Sequence, residues 1–110
     1  MGSAVDIRNE LDGIVRKYDL VERTIRSFWA NYDCYLEEEP EEARECGVAD
    51  RDSIKAEFYG YYFGASNDLD FDHIKVYVDG IREGDTIRTI TYWCIYSLDG
   101  KVFDDYFVID

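Results

Sequence analysis

Ile7, Leu11, Ile14, Tyr18, Val21, Ile25, Phe28, Tyr32 and Tyr35 recur at intervals that alternate between four and three. That spacing puts them on one stripe of an α-helix sustained over about four heptads. Val15, Trp29 and Leu36 widen the stripe. Asp19 followed by Glu22 reads as a capping box, and Gly13 weakens the first half. The segment is therefore one bent helix or two helices meeting near Tyr18 and Asp19. A stripe of this length can seed a coiled-coil dimer, but its commoner use is to pack on the sheet of its own domain.

Polar positions then take over. Pro40 ends the helical stripe and suits the first position of a short helix that runs to Cys46, with Gly47 just past its end. Asp50, Asp52 and Ser53 read as a turn or cap. Residues 54–63 are dense in aromatics, which favours a strand, although Ile54, Phe58, Tyr61, Tyr62 and Ala65 would also share a helix face. Gly64 to Asp72 reads as a polar loop.

Alternation governs the rest. Residues 74–78 form a strand, Asp79-Gly80 and Glu83-Gly84-Asp85 mark the turn region after it, and 86–98 form a long strand. Asp99-Gly100 is the strongest hairpin signal, and 101–109 return. A two-residue turn there sets Leu98 opposite Lys101, Tyr96 opposite Phe103, Cys94 opposite Asp105, Tyr92 opposite Phe107 and Ile90 opposite Ile109. That mostly apolar face should meet the helices. The other face pairs Ile95 with Asp104, Trp93 with Tyr106 and Thr91 with Val108. The expected fold is α+β: one domain over residues 1–110, with helices from 4 to about 46 on one face of a three- to four-stranded antiparallel meander.

Charge changes what such a domain can do. The chain holds 25 Asp and Glu against 12 Lys and Arg, a net of −13. Residues 1–32 are balanced, whereas 33–52 hold nine acids and two bases. Ten Tyr, six Phe and two Trp supply enough apolar mass for a core, so a folded anionic body is expected rather than a disordered one. Such a body repels nucleic acid and anionic membrane and attracts basic surfaces. Stability should rise with salt as self-repulsion is screened. Cys34, Cys46 and Cys94 make no close pair and fit reduced thiols in a cytoplasmic protein. The chain start lacks the features of a secretory signal, and no apolar run approaches the ~20 residues of a membrane-spanning helix.

Catalytic and metal signatures are missing. There is a single His, His73, and no nucleophile elbow or phosphate-binding loop. Cys94, His73 and Asn67 lack any supporting spacing as a thiol triad, and Cys94 falls on the core face. Asp68, Asp70 and Asp72 begin like a calcium loop, but His73 stands where Gly is needed and Asp79 where a bidentate Glu is needed. No cofactor, metal or enzymatic activity is expected.

The candidate chemistry is therefore binding. Asp33, Glu37, Glu38, Glu39, Glu41, Glu42 and Glu45 read either as a solvated, solubilising surface or as a row of carboxylates imitating nucleic-acid phosphates. Aromatics interleave with them, namely Tyr32, Tyr35, Tyr59, Tyr61 and Trp93; Tyr35 and Trp93 are expected to be exposed, as rings that anchor interfaces are. Tyr35, Trp93, Asp104 and Tyr106 complete the candidate site. In size and charge the chain resembles the small acidic inhibitors carried by phages and mobile elements, such as anti-CRISPR and anti-restriction proteins. That resemblance implies a basic nucleic-acid-binding protein as partner, no direct contact with nucleic acid or membrane, and a monomer or homodimer. The competing expectations are an immunity protein or antitoxin neutralising a basic nuclease, and a ligand-binding, cone-like α+β domain with a concave pocket.

Overall fold

The computed structural model describes residues 4–64, 71–85 and 88–110, with side chains from Arg8 onward. The apolar stripe forms two helices, α1 (Ala4–Lys17) and α2 (Leu20–Glu38). The break falls at Asp19, whose φ of 55° is left-handed, and its side chain makes no cap bond. The expected capping box is thus not formed. An N-cap residue needs extended backbone to turn its side chain onto the helix amides, and the left-handed turn prevents that. Pro40 opens α3 (Pro40–Glu45), and Gly47 follows it at φ 75°. Asp50 accepts from the Asp52 amide and caps a short 3-10 turn, Arg51–Ser53.

The remainder is an antiparallel meander of β1 (Ile54–Gly64), β2 (His73–Arg82), β3 (Ile90–Ser97) and β4 (Val102–Ile109), in that spatial order. Residues 54–63 are strand, and β2 runs through the expected turn at Asp79-Gly80. A Cβ on Gly80 would lie 2.9 Å from Ile90 Cβ and 3.0 Å from the Phe28 ring. The glycine therefore lets α2 press onto the sheet instead of turning the chain. The turn falls at Glu83-Gly84. β3 begins at Ile90, later than expected, with Arg88 and Thr89 before it and residues 86 and 87 outside the described residues.

The β3–β4 register agrees with expectation from Ile90↔Ile109 to Ile95↔Asp104, then shifts to Tyr96↔Val102. The Gly100 amide donates to the Ser97 carbonyl at 3.0 Å and the Ser97 amide to the Lys101 carbonyl at 2.9 Å. The loop is thus three residues, Leu98 to Gly100, with Gly100 left-handed at φ 83°. An extra residue bulged at Phe103 restores the pairing further down. The bulge also moves Phe103 off the core face. It is 55% exposed, with its ring 5.1 Å from Phe71.

The core lies between α2 and the sheet. Leu20, Phe28 and Tyr32 of α2 are fully buried against Ile74, Val76, Val78, Ile90 and Tyr92. Phe28, Tyr32, Tyr92 and Phe107 pack ring on ring at 6.0–6.3 Å. These rings fill the space between α2 and the sheet. The hairpin tip docks between the helices: Arg23 donates to the Gly100 carbonyl at 2.8 Å, and Tyr18 lies over Gly100. The molecule is elongated, 52 × 28 × 23 Å, with a radius of gyration of 15.5 Å. No helix among the described residues is long and apolar enough to cross a membrane.

Candidate functional site

Strand alternation splits the sheet into a face under the helices and a face without them. On the uncovered face the registers set Tyr77 opposite Trp93 and Trp93 opposite Tyr106. Their rings stack at 5.4 Å and 5.1 Å, with interplanar angles of 26° and 22°. Tyr62 of β1 closes the row, its ring 5.2 Å from Tyr77 and perpendicular to it. Four aromatic rings, one per strand, thus cross the whole sheet. Tyr62 is 51% and Tyr106 44% exposed, and Tyr59 and Val108 are exposed as well. Cross-strand aromatic pairs stabilise a sheet, yet an outward row of this extent also leaves much apolar area in water. Asp104 rims the row and accepts from the Tyr106 hydroxyl, which raises that phenol's pKa.

The acids of residues 33–45 lie in the other layer, on α2 and α3. Glu37 and Glu38 end α2, Glu39 links the helices, Glu41 and Glu42 fill the first turn of α3, and Glu45 ends it. All six are exposed. Glu41 and Glu42 suit the dipole at the start of α3, but Glu37 and Glu38 face the negative end of α2, where no basic residue balances them. Asp33 is taken up by Arg51, which bonds it at 2.6 Å and lies 4.4 Å over the Trp29 ring.

Three of the tyrosines that interleave with the acids are not free on the surface, Tyr35, expected to be exposed, among them. Tyr32 is fully buried and donates to the Val48 carbonyl. Burial pushes its phenol up to about 12, helped by Asp50. Tyr61 is half-buried and donates to Asp12 of α1. Tyr35 is half-buried, 5.6 Å from the Phe107 ring, and its phenol is pushed up to about 12 by desolvation and then by Glu42. All three belong to the helical stripe or to inward strand positions, which the core takes first. Trp93, Asp104 and Tyr106 do come together. Tyr62 and Tyr77 were missed, because the β1–β2 register that places them carries no short turn signal in the sequence.

Cys94 is buried, and desolvation raises its thiol pKa, so it serves as a core side chain. Among the described residues no group of His, Cys, Asp and Glu converges to hold a metal ion. Asp68 and Asp70 of the calcium-like run, and Asn67, lie outside the described residues. The chain matches no family model, no curated protein and no solved structure.

Proposed function

We propose that this protein is a non-catalytic binding module that docks a basic, nucleic-acid-binding protein on the uncovered face of its sheet and keeps nucleic acid from it. The single observation that carries the reading is the aromatic row Tyr62, Tyr77, Trp93 and Tyr106 crossing that face. Rigid Tyr and Trp side chains are what interface hot spots are made of. The net charge of −13 selects the partner's sign and disfavours nucleic acid itself as the occupant. The acids of α2 and α3 supply steering from the other layer. Glu37 and Glu38 oppose their own helix dipole, which suits a role beyond helix stability. An inhibitor of the phage-borne type and an immunity protein bound to a basic nuclease share this physics and differ only in the partner.

Separate surfaces for steering and anchoring give separable kinetics. Changing Glu38, Glu39, Glu41 and Glu42 together to Gln should slow association with the partner by about tenfold at low salt and flatten its salt dependence. Trp93→Ala should leave association nearly unchanged and speed dissociation. Nucleic acid should compete with the protein for the partner. Sedimentation of the protein alone supplies the control: a homodimer that Trp93→Ala dissolves would make the face a self-interface and overturn the proposal.

A further inference from the structure

Beside the aromatic row, a cleft of about 470 Å³ opens on the same face of the sheet. We infer that this cleft accepts a guanidinium group, the side chain of an arginine on the partner; this rests on the reading that the uncovered face docks a basic protein. Tyr59, Tyr62 and Tyr77 wall it, and the perpendicular rings of Tyr62 and Tyr77 form a corner. Asp79 lines it from β2. Its Oδ1 is buried and has no hydrogen-bond donor among the described residues. A buried acceptor left unpaired is costly, so a carboxylate in this condition calls for a donor from outside.

His73, at the other end of the cleft, repeats the pattern. Its Nδ1 lies 3.1 Å from the Phe71 carbonyl, which assigns a proton to Nδ1. Nε2 is likewise buried without a partner among the described residues. His73 stands six residues from Asp79 along β2, out of reach of the same group, so the occupant is fixed by the Asp79 end, where it must donate.

Arg88 lines the cleft but is held by Asp110 at 3.5 Å, and Glu57, close enough to raise the Asp79 pKa, is held by Lys55 at 3.0 Å. Lys75 lines it as well and has interactions of its own. Burial raises the Asp79 carboxyl above its usual range, with Arg88 pulling it back. An anion would meet Lys75 and Arg88 but could not donate to Asp79. Between cations, a guanidinium fits better than an ammonium, because its plane stacks on phenol rings while its edge donates to a carboxylate.

The test uses the full chain and three probes followed by amide NMR: ethylguanidinium, butylammonium and butyrate. Ethylguanidinium should give saturable shifts at millimolar concentration, confined to amides near Tyr59–Gly64, His73–Asp79 and Thr91. Asp79→Asn should weaken it by about tenfold while leaving the spectrum's dispersion intact. Butylammonium should bind more weakly and butyrate not at all. Absence of saturable shifts, equal binding of butylammonium, binding of butyrate, or an Asp79→Asn variant that binds as well would each overturn the inference. Trp93 and Tyr106 do not line the cleft. Partner binding that is lost in Trp93→Ala but untouched in Asp79→Asn would therefore sink this inference and leave the docking surface standing.

Discussion

The Tyr92 hydroxyl donates to Asp105 Oδ2 at 2.6 Å, tying β3 to β4 on the side of the sheet that meets the helices. Asn31 of α2 donates to the same oxygen at 3.1 Å, and the Cys94 thiol donates to the Tyr92 oxygen at 3.2 Å. An acid at an inward strand position is tolerated because donors from a strand and a helix meet it there. Tyr92→Phe keeps the ring and removes one of those donors. It should lower stability by about 1–2 kcal/mol in urea titrations, with an unchanged denaturant slope. A variant as stable as the parent would show that the network contributes nothing.

Asp19 sits in a left-handed conformation and offers no cap bond in return. Glycine takes this backbone without the Cβ clash, so Asp19→Gly should raise stability by about 1 kcal/mol. Thermal unfolding checks it. A fall in melting temperature would mean that the acid acts on the helix junction in a way its contacts do not reveal.

Tyr32 and Tyr35 hold their protons more tightly in the folded chain, at about 12 against an ordinary 10.0. Each raised pKa adds stability that is fully present below pH 10.0 and is lost as pH climbs through about 12. Urea midpoints should therefore decline steadily above pH 10, and Tyr32→Phe should decline less steeply. Its own stability at neutral pH should be lower, because the bond to the Val48 carbonyl is gone. Equal slopes for the two proteins would refute the assignment.

Local order was legible wherever periodicity and turn chemistry agreed. The helical stripe gave α1 and α2, Pro40 and Gly47 bounded α3, and alternation around Asp99-Gly100 set most of the β3–β4 register. Misreadings arose where tertiary contact overrode a local cue. Asp79-Gly80 has turn chemistry but lies mid-strand, because Phe28 needs a neighbour without a side chain. The bulge at Phe103 answers the three-residue turn, and neither could be inferred from a dipeptide. Half of the aromatic row was visible as the Trp93–Tyr106 pair. Tyr62 and Tyr77 needed a pairing of β1 with β2 that itself carries a bulge between Phe58 and Gly60. The acids were visible from the start, but their place on the helix layer, away from that row, required the three-dimensional arrangement.

One measurement decides whether the uncovered sheet face is a docking surface for a basic protein. The protein and its Trp93→Ala, Tyr106→Ala double variant are used side by side to capture partners from native-host lysate at physiological salt, with quantitative mass spectrometry as the readout. The parent should enrich a Lys- and Arg-rich nucleic-acid-binding protein. Added nucleic acid should displace it, and the double variant should lose it while staying folded by circular dichroism. Equal recovery with both proteins, or recovery of no basic protein by the parent, would contradict a docking role for the aromatic row.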